Sequence, residues 1–178
     1  MVNQHNSFAV TSGALPVGLS LNASKGLLSG VPTALDNYAF MVTATGGGAC
    51  SGSRNYTLAV QDLTPPVITD VGVNKPTLWP PNHKMVTVQV NYNVSDNHSP
   101  SVNLDCSLSV TSNEPVNGTG DGDTAPDWEV LDAHHVRLRA ERAGSGNGRI
   151  YTITITCKDA AGNTAMRTVS VSVPKNQS

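Results

Sequence analysis

The chain has 178 residues, a formal net charge of -2 and 13% charged residues. This length suits one large domain or two small ones, and the charge excludes the basic surface expected of a nucleic-acid-binding protein. The polarity comes mainly from Thr, Ser, Asn and Gly, a mixture typical of secreted β-proteins.

The beginning of the chain shows no targeting signal. Met1–His5 has neither a basic region nor an apolar core, so we expect any secretion signal to lie upstream of it. No apolar run along the chain approaches the ~18 residues that a membrane span requires.

The first sixty residues carry strand signals. We predict strands over 38–45 and 55–61, joined around the Gly46–Gly48 turn. The segment 62–66 ends in two prolines, which are incompatible with a helix or a central strand, and marks the best domain boundary. The predicted domains are residues 1–61 and 62–178.

The second domain alternates apolar and polar residues with a period of two. In 84–94, for example, Val86, Val88 and Val90 share one face while Thr87 and Gln89 share the other. Similar runs lie at 102–110, 136–140, 151–157 and 169–173, and in 136–140 the alternation places Arg137 and Arg139 in water. Further strands are predicted at 67–73 and 128–131. About seven short strands in just over 100 residues indicate an immunoglobulin-like β-sandwich, so the predicted fold class is all-β.

Two segments of the first domain carry a family resemblance. The strings 8–22 and 26–33, containing Leu-Pro-Val-Gly-Leu and Ser-Gly-Val-Pro-Thr, resemble bacterial Ig-like repeats related to cadherin-like domains. The resemblance covers residues 7–61. Domains of that family carry further strands upstream, so it implies a partial module here.

Residues 62–178 resemble another Ig-like module of bacterial surface and secreted proteins. The strings that carry this resemblance are 62–66, 78–84, 112–118 and 157–163. It implies an extracellular spacer, adhesion or binding role.

Two sets of aspartates are candidates for calcium. Asp121, Asp123 and Asp127 lie in one glycine-containing loop, where closely spaced carboxylates can supply the oxygen ligands that calcium needs. The alternative is a solvated turn whose carboxylates cap backbone N–H groups. Cadherin-like modules also bind calcium between domains, and the resemblance suggests a second set at the domain junction: Asp62, Asp96 and Asp159. For Asp159 the alternative is an ordinary hairpin turn over 159–163.

Two other features, a tryptophan and a set of acidic residues, each have both a functional and a structural explanation. Trp79 either is exposed and stacks against a sugar or fills one end of the sandwich. Only 4% of the residues in the chain are aromatic, which weakens the sugar-binding interpretation. Glu114, Asp127, Glu129 and Glu141 can in principle supply the acid pair of a glycosidase, although any sandwich surface offers such pairs. We assign no catalytic residue.

The cysteines predict one disulfide. Cys106 and Cys157 face inward by alternation and, in an Ig-like order, lie on the third and sixth strands, which are neighbours in the sheet. We therefore predict a Cys106–Cys157 disulfide and an unpaired Cys50.

The predicted function is that of a non-catalytic spacer or adhesion module of a bacterial surface or secreted protein, stabilised by calcium. The alternatives are an accessory glycan-binding module of a secreted hydrolase and a small secreted hydrolase. The expected partner is a surface protein or a glycan. An incomplete sandwich leaves an open sheet edge, so we also expect self-association through the first module.

Overall fold

A computed structural model of the protein describes residues 6–47, 50–116, 118 and 125–176. These residues form twelve β-strands and one 3-10 turn at Ser101–Asn103, so the protein is all-β as predicted. None of them forms a helix long and apolar enough to cross a membrane. Backbone packing divides the chain into two units, 1–62 and 63–178.

The described part of the first unit contains five strands. They are β1 (Ser7–Gly13), β2 (Leu19–Leu21), β3 (Leu28–Gly30), β4 (Asp36–Thr45) and β5 (Ser51–Val60). The sheet has the order β1-β4-β5 with antiparallel pairing throughout, and β2 pairs with β3 as a separate hairpin.

Two glycines of the family-like strings make this hairpin possible. Gly18 and Gly30 have φ angles of 96° and 122°, a region that L-residues with a side chain rarely adopt. A β-carbon on Gly30 would collide with the backbone carbonyl of Gly18, and one on Gly18 would collide with that of Val31. Both positions therefore need glycine for close backbone approach as well as for φ.

The first unit has a thin core. Phe40 is the only large apolar side chain buried in its described part, while Val17, Leu27 and Val31 are more than half exposed. An open apolar groove of about 210 Å³ separates the sheet from the hairpin, with Phe8 and Tyr56 among its lining. The described part of the first unit therefore buries little apolar surface.

Within its described residues, the second unit contains seven strands, in agreement with the number predicted from the sequence. They are β6 (Val67–Val73), β7 (Met85–Ser95), β8 (Asp105–Ser112), β9 (Trp128–Val130), β10 (His135–Arg139), β11 (Gly148–Lys158) and β12 (Thr164–Pro174). One sheet has the order β6-β7-β10-β9 and the other β12-β11-β8.

The two sheets of the second unit enclose one hydrophobic core. Most of the predicted inward positions are buried, with Val88, Val136, Ile153 and Val171 fully inaccessible to solvent and Val86 partly buried. Leu78 closes the core from the segment before β7, and its backbone N–H donates to Ser172 O at 2.8 Å.

Candidate calcium site and buried ion cluster

Asp96 organises the turn that follows β7. Its Oδ1 accepts hydrogen bonds from the backbone N–H groups of His98 at 2.9 Å and Ser99 at 2.7 Å. Its Oδ2 is inaccessible to solvent and has no hydrogen-bond partner among the described residues. A buried carboxylate oxygen without a partner is costly, which marks this oxygen as a candidate ligand for a cation.

Asp159 organises the hairpin turn between β11 and β12. Its Oδ1 accepts the backbone N–H of Asn163 at 2.8 Å, and its Oδ2 accepts the Asn163 side-chain amide at 2.8 Å. Gly162 supplies the positive φ of the turn, at 97°. Burial raises the pKa of Asp159, but the hydrogen bonds from Asn163 outweigh it and the pKa is lowered overall.

The two turns lie side by side. The backbone N–H of Ala160 donates to Ser99 Oγ at 3.4 Å. Asp62, the third residue predicted for this site, is buried and is the last residue of the first unit. Within the second unit, one carboxylate oxygen of Asp96 lies within 4.8 Å of one of Asp159, and we call these two residues the aspartate pair.

The donor set of this aspartate pair suits a hard cation. Calcium takes oxygen ligands in flexible geometry, and a cation offsets the repulsion of two carboxylates this close together. The hairpin-turn explanation of Asp159 and the metal explanation are compatible, because each carboxylate oxygen has a second lone pair. The residues present fit calcium.

The other predicted calcium loop is described only in part. Asp121 and Asp123 lie outside the described residues, so calcium binding there stays a prediction. Asp127 is buried, and its Oδ2 accepts a hydrogen bond from Arg149 Nη1 at 2.8 Å. An arginine therefore already neutralises one carboxylate of the proposed loop.

Arg149 is the centre of a buried ion cluster that the sequence analysis missed. Its guanidinium lies beside three carboxylates: Asp127, Glu141 at 3.4 Å and Glu114 at 3.3 Å. It also donates to the Tyr151 hydroxyl at 3.2 Å and to the Pro115 carbonyl at 3.1 Å. Buried charges persist in proteins when they are paired and hydrogen-bonded in this way.

The cluster shifts the proton affinities of its members. Burial lowers the pKa of Arg149, but the hydrogen bond to Tyr151 and the charge of Asp127 outweigh it and hold that pKa above its usual value. Burial, reinforced by the charges of Asp127 and Glu141, raises the pKa of Tyr151 to about 12 despite the opposing effect of Arg149. The tyrosine hydroxyl donates to the Arg139 carbonyl at 2.8 Å.

Arg139 corrects one expectation from alternation. The alternation along β10 places Arg139 on the solvent-facing side with Arg137, yet Arg139 is only 7% exposed. Its guanidinium donates to the Pro126 carbonyl at 2.7 and 2.9 Å and to the His83 carbonyl at 2.9 Å. The strand ends here, and the two loops that supply those carbonyls cover the side chain.

The acidic residues considered for catalysis separate into two groups. Glu114, Asp127 and Glu141 meet around Arg149, whereas Glu129 is exposed and pairs with Arg137 at 3.4 Å. His83, half exposed, places Nδ1 at 3.3 Å from Glu141 Oε2. The arginines neutralise the buried carboxylates, so the arrangement is suited to holding the end of the sandwich together.

The disulfide and Trp79 are both described. Cys106 and Cys157 are directly opposite each other on β8 and β11 and form a disulfide, while Cys50 is an exposed free thiol. Trp79 is 40% exposed, so it does not plug the sandwich. The other tryptophan, Trp128, packs against the core with its ring edge-on to Tyr151 at 6.2 Å.

Comparison with known proteins supports the resemblance read from the sequence. Residues 3–61 match the family described as "Putative Ig domain". Among curated proteins, none matches the chain.

Solved structures similar to this chain include extracellular segments of protocadherins. The protocadherin gammaB4 extracellular domain aligns at 12% identity with a TM-score of 0.36, covering 94% of this chain and 26% of that one. The protocadherin gammaB7 EC3-6 cis-dimer aligns at 15% identity with a TM-score of 0.36, covering 94% and 39%. The chain thus spans well under half the length of these proteins. The family match therefore supports an Ig-like module over residues 3–61.

Proposed function

We propose that this protein is a non-catalytic adhesion or spacer segment of an extracellular protein, and that calcium stabilises it at the aspartate pair of Asp96 and Asp159. The observation that carries the calcium proposal is the buried, unpartnered Oδ2 of Asp96 beside the carboxylate of Asp159. The Ig-like architecture and the disulfide support an extracellular location, because disulfides persist in oxidising compartments.

The role of calcium in this proposal is structural. Asp96 and Asp159 each fix a turn through hydrogen bonds to the backbone, so a cation between their carboxylates ties two loops of one sandwich end together. Calcium is a weak activator of bound water compared with zinc, which makes hydrolysis at the aspartate pair a poor use of it. A cation that binds only the folded state raises the free energy of unfolding by mass action.

Thermal unfolding in calcium and in chelator tests the proposal. Extracellular calcium modules bind with dissociation constants of about 0.1–1 mM. At calcium tenfold above the dissociation constant, the stabilisation is about 1.4 kcal/mol. For a domain of this size that raises the melting temperature by about 5 °C relative to chelator.

Asp96→Asn gives the sharper result because it should raise the melting temperature in chelator but remove the increase that calcium causes. Removing the charge of Asp96 relieves repulsion in chelator, so the variant should melt above the natural protein there, yet lose the response to calcium. Asp36→Asn, at an exposed position of the first unit, is the matched control and should keep the full response. A melting temperature of the natural protein that ignores calcium, or a full response in Asp96→Asn, contradicts the proposal.

Asp123→Ala separates the two calcium predictions. If the loop that contains Asp121 and Asp123 binds the ion, Asp123→Ala abolishes the calcium response and Asp96→Asn does not. The reverse pattern assigns the ion to the aspartate pair.

A further inference from the structure

One edge of the sheet in the first unit is open along its whole length. β5 pairs with β4 over ten consecutive residues without a register shift, and no backbone group of the described residues bonds to its other side. Residues 51–57 are all exposed. The opposite edge is less open, because the register of β1 shifts between Val10 and Ser12 and the Phe8 N–H donates to Ala23 O at 2.8 Å.

The hydrogen bond that closes the β4–β5 ladder shows which groups of this edge are unpaired. The Gly46 N–H donates to the carbonyl of Cys50, the residue directly opposite it in the register of the two strands. In an antiparallel ladder, opposed residues that bond to each other alternate with opposed residues that do not. The even-numbered residues of β5 therefore bond to β4. The residues that direct both N–H and C=O away from β4 are the odd-numbered ones, Ser51, Ser53, Asn55, Thr57 and Ala59.

The β5 edge lacks the features that keep sheet edges from pairing with other chains. Protected edge strands are short or bulged, carry charges or proline, or are covered by another segment. β5 is ten residues long, contains no proline and has one charged residue, Arg54. In the second unit, by contrast, the edge strand β9 has three residues, and β12 is partly covered by hydrogen bonds from Ser172 to Pro76 and from Leu78 to Ser172.

The odd-numbered residues of β5 suit antiparallel pairing with a second copy of the chain. A twofold axis at Asn55 places the two Asn55 residues opposite each other. It also places Ser53 opposite Thr57 and Ser51 opposite Ala59 of the second copy. All the outward N–H and C=O groups then bond between the copies, and the facing Asn55 amides can each donate and accept. The same patch serves both copies, as a twofold interface requires.

The even-numbered residues are compatible with the same register. Within one copy, the Arg54 guanidinium lies 5.5 Å from the centroid of the Tyr56 ring, and that ring stacks on Phe40 at 5.8 Å. Pairing places Arg54 directly opposite Tyr56 of the second copy, so the strand's one charged side chain faces an aromatic ring instead of a like charge. Tyr56 also lines the apolar groove, so the paired strands extend the apolar face of one copy into that of the other.

From this edge we propose that two copies of the chain dimerise through β5, antiparallel over residues 51–59 about a twofold axis at Asn55. The contact is small, because one added strand buries less than the about 1,200 Å² of a standard interface. The expected dissociation constant is therefore of the order of 10–100 μM. The edge shares no residue with the aspartate pair, so dimerisation does not depend on calcium.

Sedimentation velocity of the whole chain in reducing buffer tests the association. Between about 5 and 500 μM, a range that brackets the expected dissociation constant, the sedimentation coefficient should rise from monomer towards dimer. Asn55→Lys places two like charges opposite each other at the axis and should weaken the dimer at least tenfold. Ala9→Lys is the matched control, since Ala9 is exposed on the same face of the sheet but lies on β1, and it should leave the dimer unchanged.

Cysteine cross-linking tests the register without adding charge. The background is Cys50→Ser, which removes the exposed free thiol. Asn55→Cys should form a disulfide between copies under mild oxidation, because facing residues of a bonded pair have Cα atoms about 5.5 Å apart, within the range of a disulfide. Ser51→Cys should not, because the two copies of residue 51 are eight residues out of register, or about 27 Å apart.

Any of three results overturns the proposal. The first is a chain that stays monomeric over the whole concentration range. The second is a dimer that persists undiminished in Asn55→Lys, which would place the contact elsewhere. The third is cross-linking of Ser51→Cys in place of Asn55→Cys, which would mean parallel strands. None of these results changes the melting response to calcium, so dimerisation and calcium binding are tested separately.

Discussion

Replacing Arg149 by methionine tests whether the buried ion cluster stabilises the second unit. Methionine roughly keeps the length of the side chain but removes its charge and all its hydrogen bonds. Asp127 and Glu141, both fully buried, are then left in the core end of the sandwich. Asp127 loses the cation at 2.8 Å, while Glu141 keeps Arg139 at 3.8 Å and His83 at 3.3 Å.

The expected loss is large. Removing one partner of a buried ion pair costs about 3–5 kcal/mol, because the remaining charge has no compensation. Arg137→Met is the matched control, since that arginine pairs with Glu129 at 3.4 Å while both side chains are 42–50% exposed. Exposed pairs of this kind contribute about 0–1 kcal/mol.

Urea unfolding followed by tryptophan fluorescence measures both costs with the disulfide intact. At neutral pH, Arg149→Met should lose about 3–5 kcal/mol and Arg137→Met less than about 1 kcal/mol. The loss in Arg149→Met should shrink towards pH 4, because unpaired buried carboxylates have raised pKa values and take up protons as the pH falls. Adding Asp127→Asn to Arg149→Met should recover part of the loss.

Two outcomes would refute this reasoning. The first is equal costs, within about 0.5 kcal/mol, for the Arg149 and Arg137 variants. The second is a loss in Arg149→Met that does not change between pH 7 and pH 4. Either result would mean that the buried carboxylates are not stabilised by Arg149.

Further predictions concern the disulfide, one tyrosine and the first unit. Cys106 and Cys157 are 51 residues apart, so the double serine variant should lose about 4 kcal/mol, and thiol titration of the denatured, unreduced protein should find one free thiol, Cys50. Three thiols would contradict the pairing. Because the pKa of Tyr151 is raised to about 12 in the folded protein, the free energy of unfolding should fall by about 2–3 kcal/mol as the pH rises from about 10, where unfolded tyrosine ionises, to about 12. A urea midpoint that stays constant over that pH range would contradict this prediction. The first unit should self-associate or exchange its amides faster than the second, and a monomer equally protected throughout would show otherwise.

The sequence determined the fold of the second unit to a large extent. Its strands have one buried and one exposed face, and a period of two records that difference directly, as in the run from Val86 to Val90. The same parity placed Cys106 and Cys157 inward, and the strand order made them neighbours. In the first unit, the strings that carry the family resemblance contain Gly18 and Gly30, and close backbone contacts require glycine at both positions.

The aspartate pair was only partly predictable from the sequence. Each of its aspartates is in a turn that the sequence marks clearly, and the resemblance suggested that such turns meet at one end of a sandwich. The distance between the two carboxylates, and the burial of the Asp96 Oδ2, depend on how the turns pack together. The separation of 63 residues between Asp96 and Asp159 along the sequence carries none of that information.

The tertiary structure alone decided the ion cluster. Arg149 alternates with Tyr151 and Ile153 on the inward face of β11, so the sequence did contain a signal for its burial. Charged residues are so often exposed, however, that this position near the start of a strand is more readily interpreted as exposed to water. Arg139 was placed in water by parity and is buried because two loops close over the end of its strand. Alternation reports which face of a strand a residue occupies, whereas burial also depends on which distant segments cover that face, and only the folded chain brings those segments together.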